Sequence, residues 1–115
     1  MGSKYWNNGS NTTIILSSAA ADMRELNLGR ADLRDAKLQH AIFVGASLCG
    51  AHLEGTDLTD VDFSRADITS CHFKDITTNL KKAILIRTNF HKATFHPLDQ
   101  HLKKEFKERG AIISD

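Results

Sequence analysis

The chain has 115 residues, the size of a single domain, and its 15 Lys and Arg against 14 Asp and Glu give a formal net charge of +1. A charge this close to zero excludes a strong overall attraction to nucleic acid or to an anionic membrane. The sequence contains no apolar run of about eighteen residues, so it predicts no membrane-spanning helix.

The N-terminal part is predicted to be a flexible arm over residues 1–11, followed by a cap over residues 12–20. The arm is rich in Gly, Asn and Ser and lacks the basic start and apolar core of a secretory signal, which favours a cytoplasmic protein but leaves a secreted effector without a signal possible. Its Tyr5 and Trp6 either pack on the rest of the chain or contact a partner. The β-prone cap is expected to cover the open edge of the structure that follows.

Residues 21–97 repeat with a period of five: a small residue comes first in each unit and a large apolar residue comes third. Eleven units run to Asp75, and four more follow after Ile76 and Thr77. This period matches neither the helix period of about 3.6 nor the strand period of about 2. The pattern therefore predicts a solenoid, in which each unit buries its apolar side against its neighbours.

The units at residues 31–35, 51–55 and 56–60 read Ala-Asp-Leu-Arg-Asp, Ala-His-Leu-Glu-Gly and Thr-Asp-Leu-Thr-Asp, and they resemble the pentapeptide-repeat family. The resemblance covers about two-thirds of the chain. It implies an all-β solenoid: a right-handed quadrilateral β-helix with four pentapeptides per coil, here of about four coils. The roles of this family are diverse, so the resemblance says little about function.

In such a helix, residues twenty apart lie above one another, or twenty-two apart across Ile76 and Thr77, which we expect to bulge at a corner. The third positions then form four inner columns. The predicted core consists of Met23, Leu28, Leu33, Leu38, Phe43, Leu48, Leu53, Leu58, Phe63, Ile68, Phe73, Leu80, Leu85, Phe90 and Phe95.

The period changes after Pro97, and residues 98–115 are predicted to form a C-terminal helix and tail. Leu98, Leu102 and Phe106 recur at intervals of four, which is typical of an amphipathic helix. We expect this helix to cap the last coil with help from the isoleucines at positions 112 and 113, the alternative being a helix that binds a partner.

Outward positions of the repeat are mostly polar, and the apolar exceptions Ile42, Val44, Ile84 and Ile86 form the candidate interface. Apolar side chains gathered on one face are typical of a contact surface. The sequence leaves open whether a second chain or the N-terminal arm covers them.

The sequence predicts no enzyme, no metal and no cofactor. His52 lies one coil before His72 in the same column as Asp32, and neighbouring imidazoles could share a transition metal, but we interpret them as solvent-exposed side chains. Cys49 points outward without a nearby base, and Cys71 points inward, so neither a nucleophile nor an intramolecular disulfide is expected. Unpaired cysteines fit a reducing compartment.

Three functions are compatible with this pattern. The first is a scaffold that binds a protein partner or a second copy of itself, without a small-molecule substrate. The second, implied by the resemblance, is a DNA-mimic regulator of a type II topoisomerase such as gyrase, although such relatives are longer and acidic throughout. The third and weakest is direct nucleic-acid binding through basic residues near the C-terminus: Lys81, Lys82, Arg87, Lys92, Lys103, Lys104 and Lys107.

Overall fold

The computed structural model describes residues 5–7, 13–15, 21–73, 80, 82–91 and 100–113. Within these ranges the elements are two short strands and one helix: β1 at Tyr5–Asn7, β2 at Thr13–Ile15 and α1 at Gln100–Glu108. The repeats lie between β2 and α1. No helix in the described ranges is both long enough and apolar enough to cross a bilayer.

The strands β1 and β2 pair antiparallel, with Trp6 opposite Ile14. This pairing differs from the flexible arm predicted for residues 1–11, because Tyr5–Asn7 and Thr13–Ile15 are two strands of one sheet. Aromatic and β-branched residues favour such pairing, and the polar neighbours of Tyr5 and Trp6 concealed that signal in the sequence.

The repeats form a solenoid in which each unit contributes one bridging residue and one turn. Parallel bridges join the second positions of successive coils, as in the column Asp22, Ile42, Asp62 and Ile84. One coil takes twenty residues and four turns. Each side is a single bridging residue instead of an extended strand, because a turn follows at the fourth and fifth positions of every unit.

The register changes where the sequence predicts it. The bridge spacing is twenty residues up to His52 and His72, and it becomes twenty-two between Asp62 and Ile84 and between Asp67 and Asn89. Ile76 and Thr77 themselves lie outside the described residues. The columns therefore continue beyond the insertion with a spacing of twenty-two residues.

Backbone hydrogen bonds connect neighbouring coils on every side. Leu33 N donates to His52 O (2.9 Å), and His52 N donates back to Ala31 O (2.9 Å). Ala36 N donates to Leu33 O (3.1 Å), which closes the turn. The same three bonds recur around the coil, so a coil is held by its neighbours above and below.

The turns have two regular features that explain the sequence pattern. The fifth position has a positive φ, which lies between 57° and 64° for nine of the described residues other than glycine. A positive φ only at the second of the two central turn residues is typical of a type II turn. The second-position Asp or Asn accepts a hydrogen bond from the backbone N–H two residues later, as Asp32 Oδ1 does from Arg34 N (3.1 Å). Such Asx bonds stabilise turns, which accounts for the preference for Asp and Asn.

The core is built from the first and third positions. Fourteen predicted core residues are buried in the structure, and Phe95 lies outside the described residues. Phe43 and Phe63 stack in adjacent coils with ring centroids 5.2 Å apart. Where Thr replaces Ala at the first position its hydroxyl is buried and paired: Thr56 Oγ1 donates to Leu33 O (2.6 Å).

Helix α1 packs against the last coil through Leu102 and Phe106, both of which are buried. The Phe106 ring stacks on Phe90, with centroids 5.7 Å apart. The predicted helix is thus present from Gln100, whereas Leu98 and Pro97 lie outside the described residues.

Arg109, which follows α1, completes the edge of the last coil. Its Nη2 donates to Ala83 O and to Leu80 O (3.2 Å from the latter), and its guanidinium lies 5.4 Å from the centre of the Phe106 ring. Ala83 is a first-position residue. In earlier coils the first-position carbonyl accepts a hydrogen bond from a backbone N–H of the next coil. The arginine therefore substitutes for the donor that a further coil would supply.

Beyond α1 the chain returns to the solenoid and adds a further rung. Ile112 forms a parallel bridge with Asn89; Ile112 N donates to Thr88 O, and Phe90 N donates to Ile112 O (both 2.8 Å). Ala111 is buried beside this bridge. Ile112, predicted only to help the helical cap, thus belongs to a rung, and residues 111–113 repeat the small first and large third positions of a unit.

Candidate functional site

The candidate interface lies along one side of the solenoid. The bridges place Ile42 and Ile84 on either side of Asp62, two coils apart. Ile84 is 43% exposed and Ile86 is 56% exposed, whereas Ile42 and Val44 are half-buried. We call the surface formed by Ile42, Val44, Ile84 and Ile86 the apolar face.

The fold does not require isoleucine at these second positions. In the same column, Asp22 Oδ1 accepts from Arg24 N (3.2 Å) and Asp62 Oδ1 accepts from Ser64 N (2.9 Å). Ile42 and Ile84 have no side-chain acceptor, so their turns lack this bond. Each isoleucine thus replaces a turn-stabilising group by apolar surface in contact with water. That combination is typical of positions selected for binding.

Ile112 is a further exposed apolar residue, in the neighbouring column that contains Asn89, and sequence reasoning missed it as a site residue. It is 55% exposed and, among the described residues, it joins Ile84 and Ile86 as the exposed large hydrophobic side chains. The corner between them is tight: Arg87 N donates to Gly110 O (2.8 Å), and a Cβ on Gly110 would lie 3.1 Å from Ile86 Cα. The repeat pattern of residues 111–113 was the signal that could have placed Ile112 in an outward second position.

His52 and His72 are adjacent, as the column predicts, and their rings stack with centroids 4.5 Å apart and an interplanar angle of 12°. Glu54 Oε1 lies 3.5 Å from His52 Nδ1. Within the part of the chain that the structure describes, no three His, Cys, Asp or Glu side chains converge as a metal site would require. Stacked parallel rings direct their nitrogens alongside one another, so this pair lacks the geometry of a tetrahedral centre.

The two cysteines occupy different environments. Cys49 is exposed, Cys71 is buried, and both are free thiols. Burial raises the pKa of the Cys71 thiol to about 12, and its Sγ lies 2.9 Å from Leu48 O. Cys71 is therefore a structural residue at a first position and has no thiolate character near neutral pH.

Charge changes sign along the solenoid. The described residues from 21 to 73 contain five Lys or Arg against nine Asp or Glu, a net charge of −4. The described residues from 80 to 113 contain six against two, a net charge of +4. Two of the arginines in the first part are paired on the surface, Arg24 with Asp22 and Arg34 with Asp32. The two ends of the molecule therefore present opposite fields to a partner.

Comparison with protein families identifies the repeats. The family described as pentapeptide repeats matches residues 19–55 and 43–75 in 8 copies. The chain belongs to the pentapeptide-repeat family. This confirms the resemblance noted in the repeat units and supports a β-helix solenoid.

Solved structures of pentapeptide-repeat proteins match this chain, and one of them has a TM-score above 0.5. One, from the thylakoid lumen of Arabidopsis thaliana, is 21% identical, with a TM-score of 0.52 over 81% of this chain and 77% of its own. A second, from Nostoc, is 21% identical, with a TM-score of 0.31 over 83% and 82%. HetL, a Nostoc pentapeptide-repeat protein involved in heterocyst differentiation regulation, is 29% identical, with a TM-score of 0.31 over 63% of this chain and 35% of its own. A search of curated proteins finds no match.

Proposed function

We propose that this pentapeptide-repeat protein is a non-enzymatic scaffold that acts by protein–protein interaction through the apolar face. Its repeat domain over residues 21–97 is proposed to be a right-handed quadrilateral β-helix, capped by residues 12–20 at one end and by residues 98–115 at the other. Free thiols at Cys49 and Cys71 support a reducing, cytoplasmic location.

The observation that carries this proposal is the presence of isoleucine where the turn favours Asp or Asn. Ile42 and Ile84 lose a hydrogen bond that Asp22 and Asp62 make in the same column. Their side chains, with Val44 and Ile86, form one surface on the side of the solenoid. A protein partner would remove that surface from water and recover the free energy that the turns forgo.

A filled interior supports binding over catalysis. The third-position side chains occupy the inside of the coils and are almost completely buried, so the described solenoid offers its outer surface and no interior channel. Small-molecule sites are instead concave and lined by a few convergent polar groups. The outward side chains are the ones available to a partner.

The alternative proposal, a DNA-mimic regulator of gyrase, has less support. Mimicry of a nucleic-acid rod requires negative charge along the whole length, whereas the net charge here changes from −4 to +4 along the solenoid. A gyrase supercoiling assay tests this alternative. Inhibition or protection of gyrase at stoichiometric concentration would support it, and an unchanged supercoiling rate would exclude it.

The scaffold proposal is tested by affinity capture from a lysate of the source organism with the double variant Ile42→Asn, Ile84→Asn. Asn27 Oδ1 accepts from Gly29 N (3.1 Å), so asparagine at a second position supplies the missing turn bond. We expect an unchanged or higher Tm together with a loss of partner affinity of at least about tenfold, since burying a fully exposed isoleucine is worth roughly 1.5–3 kcal/mol and these two are already partly buried.

The matched control is the single variant Asp22→Asn, which places the same residue in the same column but removes no apolar surface. We expect this control to capture the partner as the wild type does. Equal capture by the wild type and by the isoleucine variant would contradict the proposal.

A further inference from the structure

We propose that the partner of the apolar face is a second copy of this chain, paired side by side with its axis antiparallel across a two-fold axis near Asp62 and Ser64. This inference rests on the proposed function, because it identifies the occupant of the same surface. Two properties of the face support it: the order of its polar and apolar residues and the charge along the solenoid.

The apolar face has the same order of residues in both directions along the axis. An apolar pair, Ile42 with Val44, is followed by the polar pair Asp62 and Ser64 and then by the apolar pair Ile84 with Ile86. A two-fold interface requires a surface that is complementary to itself. If residue i of one copy contacts residue j of the other, then residue j of the first copy contacts residue i of the second. This order allows a reversed copy to place apolar on apolar and polar on polar.

Charge selects the antiparallel arrangement over the parallel one. A parallel copy would place the −4 part of the solenoid beside another −4 part, and the +4 part beside another +4 part. An antiparallel copy places −4 beside +4 twice. Complementary charge steers association and penalises the wrong orientation. A partner with a different sequence could bind this face without two of its properties. The face would not have to show the same order of apolar and polar residues in both directions, and the two ends of the molecule would not have to carry opposite charge.

The arrangement has a specific consequence at Asp62. Because Ile42 and Ile84 are one rung before and one rung after it, matching Ile42 with the partner's Ile84 brings Asp62 opposite the same residue of the partner. Two carboxylates near the axis repel each other and weaken the dimer. Asp62 Oδ1 is held by Ser64 N (2.9 Å) and Ser64 Oγ (2.6 Å), so the side chain is fixed on that surface.

The face is small, so the dimer is expected to be weak. The face covers three rungs, so at about 4.8 Å per rung it extends on the order of 10 Å along the axis. Interfaces below about 1,200 Å² in total are typical of transient complexes. The association should therefore be sought at micromolar to millimolar concentrations of the full chain.

Sedimentation equilibrium of the full chain at low salt tests the proposal. We expect a monomer–dimer equilibrium whose Kd rises severalfold between about 0.05 M and about 0.5 M salt, because exposed charges are screened. Ile42→Asn with Ile84→Asn should raise the Kd at least about tenfold. Asp62→Asn should lower the Kd severalfold, because asparagine can keep the bond to Ser64 N, as Asn89 does with His91 N (2.9 Å), and removes the repulsion.

Disulfide trapping tests the orientation in a Cys49→Ser background. A mixture of the single variants Val44→Cys and Ile86→Cys should form a mixed disulfide, whereas Val44→Cys alone should not cross-link. Cross-linking of Val44→Cys alone indicates a parallel dimer and overturns the proposal.

Three further outcomes separate this inference from the proposed function. A wild type that is monomeric at all concentrations overturns the inference, and the scaffold proposal survives if the isoleucine variant still loses a captured protein. A dimer unaffected by Ile42→Asn with Ile84→Asn uses another surface and also overturns the inference. An Asp62→Asn variant with unchanged or weaker dimerisation overturns the predicted position of the axis.

Discussion

The fifth residue of each pentapeptide sets the conformational demands of this fold. Within the described part of the chain, nine residues other than glycine adopt a positive φ there, including Glu25, Asp60 and Arg65. The left-handed region costs an L-residue roughly 1–2 kcal/mol, which packing and the hydrogen bonds between coils must offset. Only a few units use glycine, at positions 45, 50 and 55. Hydrogen bonding between coils, more than local preference, maintains these turns.

Substitutions at Gly50 and Gly55 separate the cost of a positive φ from the cost of a steric clash between a new Cβ and its neighbours. Their φ angles are 73° and 74°, but a Cβ on Gly55 would lie 2.2 Å from Asp35 Oδ1, whereas on Gly50 the nearest atom is Arg30 Cγ at 3.6 Å. We expect Gly50→Ala to reduce the free energy of unfolding by about 1–2 kcal/mol and Gly55→Ala to reduce it further, because the Asp35 side chain must move. Urea denaturation measures both.

Adding Asp35→Ala to Gly55→Ala is the control for this explanation. It should remove the additional loss and leave a cost similar to that of Gly50→Ala. Equal destabilisation by the two single variants would contradict the steric part of the argument.

At the scale of elements, α1 and the arginine behind it cap the last coil, and Ile112 adds a rung only beside Asn89. Leu102 and Phe106 cover the last coil with apolar surface, while Arg109 donates to the carbonyls of Leu80 and Ala83. A repeat array needs such a cap because its terminal coil otherwise has unpaired backbone groups. The helix covers the side chains of that coil and the guanidinium covers its carbonyls.

Replacement of Arg109 tests its part in the cap. Arg109→Gln is expected to lower the free energy of unfolding by about 1–3 kcal/mol, because the carbonyl groups of the nearly buried Ala83 and Leu80 lose a charged donor. Arg87→Gln, at an exposed turn position, is the matched control and should change stability by less than about 0.5 kcal/mol. Thermal unfolding followed by circular dichroism compares the two. A similar Tm for both variants would show that the guanidinium is dispensable.

At the scale of the whole molecule, stability is distributed along one axis. Each coil contacts only the coil before and the coil after it, so an unfavourable group in a middle coil affects both. The columns were predictable because a strict five-residue period places every small and every large residue. The pairing of Thr13–Ile15, which lies in the β-prone cap, with Tyr5–Asn7 was not predictable, because neither short segment belongs to the repeat.

Substitution of the adjacent residues Leu53 and His52 by aspartate compares a buried third position with an outward second position in one coil. Leu53 is fully buried, and Leu53→Asp would place a carboxylate inside the second coil, so we expect loss of cooperative folding. His52→Asp faces outward at a second position, where Asp62 and other aspartates make turn bonds, so we expect this variant to stay folded. Circular dichroism and the thermal transition distinguish the two. A retained Tm in Leu53→Asp would contradict the inward position of the third residue.

The sequence by itself determined the repeat, the buried columns, the change of register and the side on which Ile42 and Ile84 lie, because all of these follow from a short local period. Only the tertiary structure decided the roles of Arg109 and Ile112 and the difference in exposure between Ile42 and Ile84. These features depend on where α1 leaves the solenoid and where the chain returns to it. The physical reason is that a local period specifies how one coil packs on the next, while the end of the array is formed by contacts between segments that share no period.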